Sequence, residues 1–186
     1  MTTLYLVRHG ETDWNKARRI QGSTDIPLND TGRAQAATAG QLLAKRDRHT
    51  IVASPLSRAF ETASIIAREI GLEPPLTLGS LVERRYGQAE GLNYQEVDAR
   101  FPDETDVPGR ETREEVTARV VPTLLELARQ MPGANIIVVS HGGVIRSVLN
   151  KINPDNTHGT ILNGSIHSIR VVDESLELIT FDDPIE

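Results

Sequence analysis

Apolar and polar residues change period several times along this chain, and each change marks an element. Leu4-Tyr5-Leu6-Val7 is a short apolar run of strand-forming residues that stops at Arg8-His9-Gly10. Residues 10–29 follow no period and hold Gly22, Pro27 and Asn29, so they read as irregular chain. Asp30-Thr31-Gly32 then leads into the alanine-rich Arg33-Ala34-Gln35-Ala36-Ala37, which predicts a helix to about Lys45. The unit repeats: residues 50–53 read as a strand, Ser54-Pro55 breaks it, and Leu56 to Ile70 has helical apolar spacing with Gly71 as its stop.

Residues 71–110 are less regular, with four prolines around one short helix predicted near Tyr94 to Phe101. Glu111 to Gln130 is the longest helical pattern: acidic residues stand early, Val116, Val120, Leu124 and Leu127 share a face, and Pro122 predicts a kink. Asn135 to Ser140 reads as a strand buried on both faces and again ends in His-Gly, at His141-Gly142, before a helix to about Lys151. The chain closes with two alternating runs, 165–172 and 176–181, around a predicted turn at Asp173-Glu174-Ser175. Strands alternating with helices predict an α/β fold. The expected form is a three-layer sandwich, its mainly parallel central sheet covered by helices on both faces, with one antiparallel strand near the C-terminus. Residues 1–186 are expected to form a single domain, with a loop and helix excursion at about 71–113 over the ligand-binding edge.

Composition narrows the functional classes. The chain has no cysteine, which excludes disulfides, thiolate nucleophiles and cysteine-held metal centres. A net charge of -6 argues against broad binding to nucleic acid or to an anionic membrane, so an anionic ligand would need a local concentration of arginine. No run approaches the ~20 apolar residues of a membrane span, and the expected location is cytoplasmic. An exposed sheet edge permits a homodimer without requiring one.

The chemistry concentrates at the strand ends. A phosphate monoester is a dianion of low electrophilicity. Its cleavage needs cationic donors around the non-bridging oxygens, an in-line nucleophile and a proton for the leaving oxygen. Arg8 beside His9 offers a bidentate cation and a nucleophile for neutral pH, with Gly10 allowing close backbone approach. Spacing alone leaves His9 equally open to an ordinary structural role.

Taken together and in order, Arg8-His9-Gly10-Glu11-Thr12, Ser54-Pro55-Leu56-Ser57-Arg58-Ala59, Glu83 before Tyr86-Gly87, Glu90-Gly91 and Ser140-His141-Gly142-Gly143 resemble the signature of the histidine phosphatase superfamily, which includes phosphoglycerate-mutase-like proteins. The resemblance implies a phosphohistidine intermediate on His9 and a phosphate pocket of Arg8, Arg58 and His141, with Asn15 matching a further phosphate contact. It implies Glu83 as general acid and base, with no metal and no cofactor. Gln21, Ser23, Arg84, Tyr86 and Gly142 are the expected substrate contacts. Glu11 is expected to be structural, and Trp14 a lid or packing residue. Arg18 and Arg19 read as a solvated pair, and His49, His158 and His167 as surface residues.

Within the resemblance the leading expectation is a phosphatase of the phosphatase branch, hydrolysing a small phosphorylated metabolite. A cofactor-dependent phosphoglycerate mutase is the enzyme alternative, and a non-catalytic phospho-ligand module is a third. The stretch Glu83-Arg84-Arg85-Tyr86-Gly87 is somewhat like the mutases. However, residues 93–113 are short and lack the basic insertion that mutases place over a phosphoglycerate carboxylate.

Overall fold

The computed structural model describes residues 1–47, 49–102, 106–156 and 158–186, and His49 through its backbone only, so the expectation for the His49 side chain falls outside the described residues. Six strands form one sheet: β1 (Thr2–Arg8), β2 (His49–Ala53), β3 (Leu76–Thr77), β4 (Asn135–Ser140), β5 (Ile166–Val172) and β6 (Ser175–Thr180), in the order β3-β2-β4-β1-β5-β6. β1, β2, β3 and β4 pair in parallel, and β5 runs antiparallel to both its neighbours. The α/β expectation, with its one antiparallel strand, therefore matches the observed sheet.

The pleat of β1 shows how the layers are made, because successive side chains face opposite ways. Leu4 and Leu6 join Ile136 and Val138 of β4 in a core completed by Val116, Val120 and Leu124 and by Val144, Ile145 and Val148. These come from α5 (Arg113–Gln130) and α6 (Gly142–Ile152). Tyr5 and Val7 face the other way with Ile137 and Val139, against Ala39, Leu43, Ala59, Ala63 and Ile66. Those residues belong to α2 (Asp30–Leu43) and α3 (Ser57–Ile70). Small alanines on this second face let helices and sheet approach closely, while each fully buried Leu or Ile of the first contributes roughly 1.5–3 kcal/mol.

Short elements within residues 10–29 and 71–93 depart from the sequence pattern, whereas the helix expected near Tyr94 to Phe101 is present. Residues 10–29, read as irregular, contain a one-turn helix α1 (Asp13–Lys16), started by a capping box in which Thr12 and Asn15 satisfy each other's backbone N–H. Between the sheet and α5 the chain forms 3-10 turns at Gly79–Leu81 and Gly87–Ala89 and a helix α4 (Tyr94–Arg100). α5 runs from Arg113 to Gln130 through Pro122. The final hairpin turns on Asp173 and Glu174, both at positive φ (47° and 64°), a two-residue connection made without glycine.

His167 is not at the surface. It is fully buried in β5, where Nε2 pairs with Ser165 Oγ at 2.9 Å and Nδ1 accepts from the Asp182 N–H. Alternation placed it on one of two faces, and both faces of β5 are covered at that point. His158 is half-buried, stacked on Phe181.

Candidate active site

Sheet register assembles the site. Arg8 of β1 stands opposite Ser140 of β4, so the next residues, His9 and His141, emerge side by side, and the His9 N–H donates to the Ser140 carbonyl at 3.1 Å. β2 ends one residue short of Ser54, whose N–H donates to the Val139 carbonyl at 3.0 Å. Residues far apart in sequence thus meet because three parallel strands end at one edge, where open α/β sheets bind their ligands.

His9 is buried, and its ring lies 5.2 Å from that of His141. Its Nδ1 is 2.7 Å from the Gly10 carbonyl oxygen, which can only accept; Nδ1 therefore carries the proton and Nε2 the lone pair. Burial, then the charges of Arg58 and Arg8, hold the imidazole well below its usual pKa, so it is neutral at physiological pH. The loop is fixed from several sides. Gly10 N–H donates to Thr62 Oγ1 at 3.1 Å, and Asn163 Nδ2 donates to the His9 carbonyl at 3.1 Å.

Arg58, on the first turn of α3, is fully buried. It anchors the preceding loop by donating to the carbonyls of Thr24 and Gly22, each at 2.7 Å. Arg8 donates to the Ile161 carbonyl at 2.6 Å, and His141 Nε2 lies 2.8 Å from Ser54 Oγ. What remains is informative. Among the described residues four buried side-chain nitrogens lack a hydrogen-bond partner, and three of them, Arg8 Nε, Arg58 Nε and His141 Nδ1, belong to the residues around His9, while the fourth, His158 Nε2, does not. Unpaired buried donors cost roughly 1–3 kcal/mol each, and these three have a common remedy in an anion placed between them.

Glu83 is buried on the opposite wall. Its Oε1 accepts from the Arg84 N–H at 2.7 Å and its Oε2 from the Gly143 N–H at 3.1 Å, yet burial outweighs these bonds and raises its pKa. Its backbone is pinned by Arg119, which donates to the carbonyls of Ser80, Val82 and Glu83 at 2.6, 2.8 and 3.2 Å while bonded to both oxygens of Glu111. A Cβ at Gly143 would lie 2.5 Å from Glu83 Oε1, so glycine is what lets the carboxyl rest against α6.

These groups surround a cavity of about 390 Å³. Arg8, His9, Asn15, Gln21, Glu83, Tyr86 and Gly142 line it, while Arg58 and His141 lie fully buried beneath. Ser23 and Arg84 do not reach it. The Ser23 hydroxyl is 3.3 Å from both Glu90 oxygens, and Arg84 donates to the Glu111 carbonyl and covers the Tyr86 ring. Arg18 and Arg19, read as solvated, are exposed but stand on the cavity wall. Tyr94, Arg113, Arg146 and Ile161 are lining residues without a sequence signal, since none belongs to a motif. The Tyr86 phenol, pushed up to about 12 by burial and by Glu83, stays protonated. Among the described residues no group of three or more His, Cys, Asp or Glu side chains is arranged to hold a metal ion, and no helix is long and apolar enough to cross a membrane.

A buried, neutral histidine ringed by two arginines and a second histidine, at the carboxyl edge of this sheet, makes a pocket suited to an anion, and the chain belongs to the histidine phosphatase superfamily (branch 1), whose family profile matches residues 4–184. It is 38% identical over 177 residues to the uncharacterized phosphatase PhoE of Bacillus subtilis, covering 94% of this chain and 91% of that one. It is 32% identical to the metal-independent phosphoserine phosphatase of Arabidopsis thaliana, covering 98% and 82%. A bisphosphoglycerate-dependent phosphoglycerate mutase of Cytophaga hutchinsonii also matches, at 33% identity over 84% of this chain and 81% of that protein. The structure of a mycobacterial glucosyl-3-phosphoglycerate phosphatase with VO3 superposes with a TM-score of 0.87 at 29% identity, covering 97% of this chain and 98% of that one.

Proposed function

We propose that this chain is a metal-independent phosphatase that hydrolyses a small phosphate monoester through a phosphohistidine at His9. The observation that carries the reading is the set of three unpartnered donors, Arg8 Nε, Arg58 Nε and His141 Nδ1, around an imidazole whose free nitrogen is Nε2. Phosphate oxygens would satisfy all three, which leaves phosphorus facing Nε2. If the Ser54 hydroxyl donates to His141 Nε2, the neutral His141 carries its proton on Nδ1 and joins the two arginines as a donor.

In the first half-reaction the Nε2 lone pair bonds to phosphorus as the P–O bond to the leaving group breaks, and Glu83 delivers its proton to the departing oxygen. Water then attacks phosphorus and gives a proton to Glu83 carboxylate, which restores the acid, and the N–P bond breaks to release phosphate. A carboxyl with a raised pKa suits both tasks. Residues 71–113 serve as the excursion that brings Glu83 and Tyr86 over the pocket. The phosphatase names among the relatives support hydrolysis.

A mutase is the second reading, favoured by Arg18, Arg19, Arg113 and Arg146 on the cavity wall, which supply positive charge without a basic insertion. The test is phosphate release from a panel of phosphorylated metabolites by chelator-treated enzyme, with rapid acid and alkali quenches to trap labelled protein. Expected are turnover and an acid-labile, alkali-stable phosphoprotein, both absent in His9→Ala. Unchanged release by His9→Ala overturns the mechanism. Interconversion of phosphoglycerates that requires bisphosphate, with negligible release, replaces it by the mutase.

A further inference from the structure

Two arginines on the outer wall of the cavity, Arg113 and Arg146, differ from the ion-paired arginines of this protein. The chain has 26 acidic against 20 basic residues, and Arg33, Arg119, Arg129 and Arg170 each hold a carboxylate. Among the described residues, Arg113 and Arg146 hold none. Arg113 makes one bond, from Nη1 to Ser147 Oγ at 3.2 Å, and Arg146 makes two, to the carbonyls of His158 and Gly159 at 3.1 and 2.5 Å. A guanidinium has five N–H donors, so four remain on Arg113 and three on Arg146.

The position of Arg113 is also unfavourable locally. It is the first residue of α5, where the helix dipole repels a cation. Burial lowers the pKa of Arg113, and the neighbouring charges of Arg84 and Arg146 lower it further. Among the described lining residues, Arg8, Arg18, Arg19, Arg113 and Arg146 face one acid, Glu83. A cluster that breaks local rules in an acidic protein calls for a compensating ligand.

The two side chains are held as a pair beside the acid. The Ser147 hydroxyl that accepts from Arg113 donates to the Gly143 carbonyl, while the Gly143 N–H donates to Glu83. Arg146 stands three residues beyond Gly143, about 4.5 Å further along the helix axis. A substrate with its phosphoryl group on Arg8 and Arg58 and its leaving oxygen at Glu83 would therefore extend its alcohol portion toward Arg113 and Arg146.

Resting on the phosphatase reading, we propose that Arg113 and Arg146 form a second anion-binding subsite, and that the substrate is a small phosphomonoester whose alcohol portion carries its own anionic group, a carboxylate or a second phosphate.

The test compares three esters that differ at the far end only: glycerol 3-phosphate, 3-phosphoglycerate and glycerol 1,3-bisphosphate. The intact chain is expected to favour one or both of the doubly anionic esters by about tenfold or more in kcat/KM, and the better of the two identifies the anion. Arg113→Gln and Arg146→Gln are each expected to lower the ratio of that kcat/KM to the value for p-nitrophenyl phosphate by about tenfold, through KM, with partial recovery in the lysine variants. Equal kcat/KM for the three esters overturns the subsite. So does a parallel fall on p-nitrophenyl phosphate with an unchanged ratio, which would make the arginines structural clips. If the wild type releases phosphate from nothing, the phosphatase reading fails. Calorimetric titration of the same three compounds then decides the subsite: tighter binding of a doubly anionic ester supports it, and equal binding overturns it.

Discussion

The floor and the outer wall of the cavity are both rich in arginine, but they are built differently. On the floor, Arg58 and His141 are fully buried and Arg8 is fixed by the Ile161 carbonyl, each at or next to a strand end or a helix start. On the wall, Arg18 and Arg19 are exposed, Arg113 and Arg146 half-buried, and most of their donors unused. The floor is pre-paid: its geometry is held by the protein before any ligand arrives, which suits the part that stabilises a developing charge. The wall is left adjustable, which suits the part that distinguishes one leaving group from another.

Arg58→Ala should break the contrast most severely. It removes a phosphate donor and leaves the carbonyls of Gly22 and Thr24 unpaired, so kcat/KM is expected to fall about 10³-fold and stability by about 2–4 kcal/mol, read by phosphate release and urea unfolding. Glu83→Gln comes next. Turnover of alkyl phosphates should drop about 10²-fold, but p-nitrophenyl phosphate, whose leaving group needs no proton, by less than about tenfold.

The pH profile tests the same assignment more gently. His9 has a lowered pKa and must be neutral to attack, so the acid limb lies below 6.5. Glu83 has a raised pKa and must be protonated to donate, so kcat/KM on alkyl esters should decline as pH rises through that pKa above 4.5. The decline should flatten with p-nitrophenyl phosphate. An alkyl-ester profile that keeps rising through neutrality would remove Glu83 from the acid role.

Gly143→Ala should separate position from stability. The added methyl displaces Glu83 Oε1, so turnover on alkyl esters is expected to fall about tenfold, while the helix gains up to about 1 kcal/mol in thermal or urea unfolding. The smallest effect is expected on the open side of the wall, where Arg18→Ala should raise KM for an anionic ester by about two- to threefold, an effect that fades at high salt. A larger effect there than at Arg58 would invert the comparison.

The same division governs what could be read from the chain alone. Arg8, His9, Arg58 and His141 follow apolar runs or turn signals directly, and a strand end is where both the hydrophobic pattern and the motif are clearest. The layers and the single antiparallel strand followed from the same periodicity. Strand order did not, because pairing of β1 with β4 and β5 is decided by which faces can be covered, and a two-residue strand such as β3 has no period. Arg113 and Arg146 belong to no motif. Only the packing of α5 on α6, marked by the Arg113 to Ser147 bond, brings them together. Arg119 was hidden for the same reason, as its hold on the Glu83 backbone spans 36 residues.

The loop that carries His9 is interlocked with the start of α2. A Cβ at Gly10 would lie 2.2 Å from the Gly32 carbonyl oxygen, and a Cβ at Gly32 would lie 2.1 Å from that of Glu11. In evolutionary terms this is a closed door: neither position can acquire a side chain while the other segment keeps its place, and changing both makes the collision worse. Lineages descending from this sequence are therefore free to vary the rim and explore new esters, while the depth of the nucleophile beneath them stays where it is.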